Sequence, residues 1–491
     1  MTLLNIKYRR ILASVLTLAM ISCSNPWDDR EDNGDENLSI TLSEALTNRA
    51  ETSEFGKLLV ETGYDKILAT SKTYTVFAPT NTAMSQVSTD ILDDPEALKQ
   101  FVGNHIALTT YSSVRSEDET QIKMYSNKYL LFKGSTTIDD AAIVTADHYA
   151  ANGVFHVIDK PLTLKMNIWQ YINSRAGSSA MSDYLLSLKQ FSIYQADSIA
   201  KVLSVERGAG YLSDSLTNSY LKNVYNLNNE KNSYTLFLME DAGYNSEVDK
   251  MKPYLIKPSN DPDIDSTAIY SKYFTVRDMA FGKKYELDEL PATLTSKYGV
   301  EFSVDKTQIV GQPIHLSNGI VYIMKKVDVL LTKRLLPTKI EGEKNFSHFN
   351  GSSNAIYYRE RKDQFGVYND VLVLNPGVPN FMLNYTAKEL YSTTYNVYWR
   401  AINEQTNVFS QSIRFAGKYE IINNTVTVSD IIGNIAPTAV QVRFREEVLV
   451  GQITLGKARN IDLISLIGAN NSTNGNNSLT LDYLKLVPVL K

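Results

Sequence analysis

One cysteine in 491 residues is the tightest constraint this sequence sets on its fold. With only Cys23 available, neither an internal disulfide nor a thiolate zinc site can hold the chain together. Stability must come from apolar cores, and 43% hydrophobic against 21% charged residues is the composition of an ordinary globular protein. At about 150 residues per domain the chain reads as roughly three domains. A net charge of −5 gives no basic field of the kind that holds nucleic acid. Thirty tyrosines beside five histidines favour β-structure and binding surfaces over metal or acid–base chemistry.

The position of the cysteine is informative in itself. Residues 1–10 carry Lys7, Arg9 and Arg10 and no acid, and Ile11 to Ile21 form an apolar run of eleven residues. A bilayer span needs about 20, so this run has the size of a signal-peptide centre. Ser22 then precedes Cys23. The arrangement resembles the lipobox of bacterial lipoproteins, with Met20 where leucine is usual. The resemblance implies removal of residues 1–22 and lipidation of Cys23. Residues 23–38 follow as a tether, with six acids and one arginine between Ser24 and Asn37. Such a stretch cannot bury apolar surface and stays extended. An acidic segment just after the lipidated residue resembles the surface-export signal of lipoproteins in some Gram-negative bacteria. The expected location is the outer membrane, lipid-anchored and facing the cell exterior; a plain periplasmic spacer is the alternative.

Beyond the tether, Leu42, Ala45 and Leu46 recur at helical spacing. Tyr74 to Ala78 is β-branched and aromatic, a strand that Pro79 ends, and Asn81 is placed to cap the following helix. Asp94-Pro95-Glu96 is a second helix start. Near Ile143 to Leu162, Asn152-Gly153 reads as a two-residue turn between strands. The TVFAPTN segment, the central His105-Ile106 and the closing NGVFHVID segment together resemble the fasciclin family over residues 39–164. The resemblance implies a wedge of helices and strands in which the two boxes are adjacent core strands, and a role in adhesion or extracellular binding. His105 and His156 read as structural hydrogen-bonding residues, with no further ligand at zinc-like spacing.

Residues 166–335 read as a diverged second copy. Tyr234 to Met239 takes the place of the first strand box, without its Pro-Thr-Asn turn. Asn318 to Val327 repeats the closing box, with Tyr322 where the histidine stood. Asp261, Asp263 and Asp265 alternate as a calcium loop would begin, but the central glycine and terminal glutamate are missing. A solvated loop is the better reading.

From residue 336 to 491 the pattern changes to short alternating strands and polar turns. Tyr395, Val397 and Trp399 share one face, which makes Trp399 a core residue. Val440–Phe444, Val448–Leu455 and Leu479–Val489 read as further strands, with Asn470 to Asn477 as a soluble turn. Absence of intervening amphipathic helices argues for a β-sandwich. The YNVYWRA and LTLDYLKLVPV segments resemble the galactose-binding-like jelly rolls of carbohydrate-binding modules. The fold class expected is thus two α+β fasciclin-like domains in tandem, then an all-β sandwich or jelly roll.

Sugars are held by aromatic faces with amides and charges on their hydroxyls. The candidates for such a surface are Tyr357, Tyr358, Arg359, Phe365, Tyr368 and Asn369. No HExxH, G-x-S-x-G or phosphate-loop motif occurs, and the Arg207 to Tyr211 glycine pair follows no strand. No enzyme activity, cofactor or metal is expected. The sequence points to a surface accessory that captures extracellular glycan or peptide beside a SusC/SusD-like transporter. The alternative is an adhesion or structural envelope protein that acts on a matrix ligand through its fasciclin domains.

Overall fold

The computed structural model describes residues 36–70, 73–115, 119–189, 217–259, 265–422 and 425–491. The signal segment, Cys23 and the tether up to residue 35 lie outside the described residues, as do residues 207–211 and 261–264. Among the described residues no helix is long and apolar enough to cross a membrane. The chain divides into two compact units. The first runs to Tyr171 and includes Leu227–Tyr234 and His315–Ile320; the second takes the remainder to Lys491.

The first α+β domain has strands β1 (Tyr74–Pro79), β2 (Ile106–Ala107), β3 (Thr120–Lys123), β4 (Tyr129–Lys133), β5 (Thr137–Ile138), β6 (Ala141–Ala150) and β7 (Gly153–Ile158). They form one sheet in the order β2-β1-β7-β6-β5-β4-β3. β1 and β7 run parallel from Tyr74↔Gly153 to Pro79↔Ile158. Both are covered on both faces, which is why each reads as a continuous apolar run rather than an alternation. The turn between β6 and β7 lies one residue earlier than the sequence suggests, since Ala150 pairs with Gly153. Gly153 belongs to the strand instead. A Cβ there would lie 2.5 Å from the Tyr74 carbonyl oxygen, so only glycine lets the parallel strands meet. Asn152 accepts the Leu42 N–H at 2.7 Å and ties the first helix to this turn.

Two cap assignments can be compared with the structure. Asp94 caps Pro95–Gly103 through the Glu96 and Ala97 N–H groups, as its sequence context implies. Asn81 does not cap its own helix; Thr80 does, accepting from Ala83 N–H. The Asn81 side chain reaches back instead, accepting from Glu54 N–H at 3.0 Å and donating to Ala50 O at 2.8 Å. It therefore fixes the start of the Ser53–Glu61 helix. Within the first unit, Lys128 is buried, and its ammonium donates to Glu230 Oε1 at 2.5 Å, Gln170 Oε1 at 3.1 Å and Ser317 Oγ at 3.2 Å.

The second α+β domain contributes β8 (Tyr234–Met239), β9 (Ala280–Phe281), the hairpin β10 (Thr293–Thr295) and β11 (Glu301–Ser303), β12 (Ile314–Leu316) and β13 (Gly319–Met324). Its sheet order, β12-β13-β8-β9, is the order β6-β7-β1-β2 of the first domain. The likeness extends to single hydrogen bonds. Thr75 Oγ donates to Thr109 O and accepts from Tyr111 N–H; Thr235 Oγ donates to Lys283 O and accepts from Tyr285 N–H. Phe77 N–H donates to His105 O, and Phe237 N–H to Met279 O. Asn318 accepts from Ile168 N–H as Asn152 does from Leu42.

The sandwich has β14 (Thr338–Glu341), β15 (Ser347–Phe349), β16 (Ile356–Asp363), β17 (Gly366–Val373), β18 (Met382–Leu390), β19 (Thr394–Arg400), β20 (Phe409–Ile422), β21 (Thr425–Val440), β22 (Val448–Thr454), β23 (Arg459–Gly468), β24 (Leu479–Leu481) and β25 (Tyr483–Pro488). Three sheets result: β14-β25-β19-β22, β15-β18-β23-β20-β21 and β16-β17-β24. Tyr395, Val397 and Trp399 are buried together in the core. The strand expected at Val440–Phe444 is absent, because Val440 instead ends the long β21. The run Leu479–Val489 is two strands in different sheets, broken at Asp482, whose N–H donates to Arg400 O at 2.8 Å. Met251, Tyr254, Leu255 and Phe274 of the second α+β domain join the same core.

The first domain holds two fully buried imidazoles. His105 Nδ1–H donates to Phe101 O and Nε2 accepts from Leu162 N–H, both at 2.9 Å. His156 accepts from Asp147 N–H through Nδ1 and donates from Nε2 to Tyr111 O. Each ring is satisfied only when neutral. In the second domain Met279 and Tyr322 occupy these positions, and the Tyr322 hydroxyl donates to Tyr285 O at 2.8 Å. Burial depresses both histidines, His105 to about 4. Because its folded pKa lies below its unfolded one, its stabilisation is complete above about pH 6.5 and is lost as pH falls toward 4, a change of about 3 kcal/mol. We expect hydrogen exchange in β1 and β7, corrected for intrinsic rate, to accelerate sharply between these pH values while β8 and β13 change little. Equal acceleration in both copies would refute this.

Candidate functional site

The tip of the β16–β17 hairpin forms one wall of a cleft of about 510 Å³ in the sandwich. The hairpin closes at Asp363↔Gly366. Gly366 has a φ of +121°, a conformation that side chains resist, so glycine is needed to make this tip. Phe365 N–H donates to Asp363 Oδ1 at 2.8 Å, which fixes the tip and leaves the Phe365 ring 60% exposed.

Opposite the hairpin stands Arg400, the last residue of β19. Its guanidinium lies 4.7 Å from the Tyr368 ring centroid and 5.5 Å from that of Phe365. It donates to the carboxylates of Asp363 and Asp482, and its Nε donates to Arg445 O at 2.8 Å. Asp482 is available because the chain breaks there to cross from one sheet to another. The charges differ in consequence. Burial works to raise Asp363, but the Phe365 N–H and Arg400 outweigh it and hold the carboxyl below its usual range. For Asp482 burial wins over Arg400, and its carboxyl sits above that range. On the far wall the Tyr483 hydroxyl donates to Glu447 at 2.6 Å, and Lys339 lies 4.1 Å over the Tyr483 ring. Burial and the Glu447 contact push the Tyr483 hydroxyl up.

The cleft thus offers flat aromatic surface beside fixed donors and acceptors. That combination suits a ring with an apolar C–H face and hydroxyls at its edge. Among the described residues, no group of three or more histidines, cysteines and carboxylates is arranged to hold a metal ion.

Of the six residues singled out in the sequence, Phe365, Tyr368 and Asn369 line this cleft. Tyr357, Tyr358 and Arg359 do not. They lie near the other end of β16, opposite Leu372, Val371 and Asp370, away from the hairpin tip. Tyr358 donates to Asn345 Oδ1 at 2.9 Å, and Arg359 is held by Asp370 at 2.8 Å. The Asn470–Asn477 turn is also outside the cleft lining. The sequence reading missed Arg400, Asp363, Asp482, Glu447 and Tyr483. A signal existed for two of them, since Arg400 and Asp482 each interrupt an otherwise regular strand pattern.

Residues 50–164 match the fasciclin domain family. The pig and rabbit transforming growth factor-beta-induced protein ig-h3 are each 31% identical to this chain over 119 residues. That alignment takes in 20% of this chain and only 16% of the relative's length. Among solved structures, a FAS1 domain pair from the insect cell adhesion molecule fasciclin I is similar at 14% identity. It covers 58% of this chain and 99% of that one, with a TM-score of 0.23. The carbohydrate-binding module CBM36 in complex with calcium and xylotriose is similar at 15% identity, covering 30% of this chain and 98% of that one, with a TM-score of 0.20.

Arg400 is the residue on which the cleft wall depends. Replacing it with methionine leaves two carboxylates without their partner, and we expect the unfolding temperature to drop by more than about 5 °C. Tyr357→Ala, outside the cleft, should shift it by less than about 1 °C, since surface changes of this kind cost little. Calorimetry on the two variants decides the matter; equal midpoints would show that Arg400 carries no such load.

Proposed function

We propose that this chain is a non-catalytic binding protein that holds a glycan in the Phe365–Tyr368 cleft of its sandwich. The observation that carries the reading is an exposed aromatic on a tip fixed by hydrogen bonding, facing an arginine that is itself locked by two carboxylates. The cleft is rigid before any ligand arrives, which lowers the entropic cost of binding. The signal-like segment and Cys23 support lipid anchoring at the outer membrane, and the acidic tether supports a position facing the exterior. There the protein would deliver glycan, or an extracellular peptide of similar dimensions, to a SusC/SusD-like transporter.

A second reading rests on the fasciclin match at residues 50–164: adhesion to cells or matrix through the first domain. The two are separable, because they use different parts of the chain.

Isothermal titration against a panel of neutral, amino and acidic glycans and peptides tests the first. We expect at least one glycan to bind tighter than about 1 mM, with Phe365→Ala and Tyr368→Ala each weakening it about tenfold, near 1.4 kcal/mol. A panel with no ligand below that threshold would overturn glycan capture, and loss of adherence in a deletion strain would then favour adhesion. Protease treatment of intact cells tests the location. Rapid cleavage is expected; protection until the outer membrane is opened would place the protein in the periplasm.

A further inference from the structure

We infer that the cleft sorts sugars by charge, holding amine-bearing rings most tightly, neutral rings less so, and rejecting rings that carry carboxylate. The inference rests on the glycan reading above and names the class of sugar that site takes.

The charges around the cleft are unequal. Its lining includes six carboxylates against three cationic side chains. Each of those cations already has an acidic partner. Lys339 lies 3.0 Å from Glu341, Arg400 is bound to Asp363 and Asp482, and Arg445 approaches Glu404 at 3.8 Å, a carboxylate that Arg361 also reaches at 3.2 Å. Glu447 is likewise taken by Lys485. Among the described residues, Glu343 and Glu446 are the lining carboxylates without an ion pair.

Glu343 provides a second and independent observation. Its Oε2 is buried and has no hydrogen-bond partner. A carboxylate oxygen removed from water without a donor is costly, and the cost is relieved when a donor arrives. The neighbouring Gly342 carbonyl is fixed by the Tyr385 hydroxyl at 2.9 Å, so the turn that carries Glu343 is anchored to the core. Glu343 as a whole is partly exposed and lines the cleft, so an incoming donor can approach its carboxylate. An ammonium satisfies it best, since a charge-assisted bond is stronger than a neutral one. A hydroxyl satisfies it less well. An incoming carboxylate meets two unpaired like charges in a lining that carries more acids than cations, which opposes it at short range. Because the cleft is open to water, salt weakens the discrimination.

Saturation-transfer NMR titrations of the full mature chain test this, using matched sets in both the glucose and galactose series: the 2-amino sugar, the parent sugar and the uronate. At low ionic strength we expect the amino sugar to bind at least about threefold tighter than the parent and the uronate at least about tenfold weaker, with both ratios shrinking as salt rises. Glu343→Gln should bring the amino-to-parent ratio to about one, with an unfolding transition like that of the unchanged protein to establish that it folds; Glu446→Gln provides the second variant should it not. Binding of the parent sugar with no amino preference, or with preferred uronate, would overturn the inference and leave the glycan reading standing. Failure of every sugar in both series to bind would overturn this inference, while the wider titration panel decides the glycan reading separately.

Discussion

The parallel pairing of β1 with β7 is the interaction on which the first domain is built, and β8 with β13 repeats it. Each pair joins segments separated by about 80 residues, and each starts at a glycine pressed against a backbone carbonyl. A Cβ on Gly153 would lie 2.5 Å from Tyr74 O, and one on Gly319 would lie 2.0 Å from Tyr234 O. The asparagine before each glycine accepts an N–H from the first helix of its own copy. One dipeptide therefore sets both strand contact and helix position. With no disulfide available, this closure is made entirely by backbone geometry and burial.

Divergence between the copies has changed side chains while keeping backbone hydrogen bonds. His156 stacks on Phe77 and reaches Tyr111 O, whereas Tyr322 stacks on Phe237 and reaches Tyr285 O. The requirement conserved between them is a flat ring with a donor at its far edge. Where the first copy buries neutral Asn104, bonded to Leu162 O and Ser126, the second buries Asp278, bonded to Ser296. Burial raises the Asp278 carboxyl, and the guanidinium of Arg334 lies 3.9 Å away. The second copy has thus exchanged a self-contained polar clip for a charge pair with the segment that leads into the sandwich.

What the sequence made legible follows from this physics. TVFAP and GVFHVI are readable because central parallel strands must be apolar on both faces. Trp399 is readable as core because β19 alternates. The longest strands, β20 and β21, escaped notice because bulges at Gln411/Ile413 and Phe415/Ala416 break their alternation, and Gly433 and Pro437 imitate turn signals within β21. The cleft is only half legible. Phe365, Tyr368 and Asn369 sit together on one hairpin, but Arg400, Glu447 and Asp482 come from segments far apart in the chain. Their meeting depends on the sheet crossing at Asp482, which looks in sequence like a single polar residue in a strand. Tyr357 and Tyr358 are aromatic and exposed as well, and the register of β16 on β17 separates them from the site.

The four-stranded sheet of the sandwich has one more consequence. Its members begin at residues 338, 394, 448 and 483, and no two that pair are joined by a tight turn. β25 lies between β14 and β19, so the sheet has no continuous middle until the most distant partner has arrived. Long loops must close before such contacts reward the chain, and topologies of this kind assemble slowly. The second α+β domain, with more local helices, is suited to form earlier, and Met251, Tyr254 and Phe274 then give the late sheet an apolar surface on which to gather. The diverged copy thus supplies apolar surface to the core that the sandwich completes.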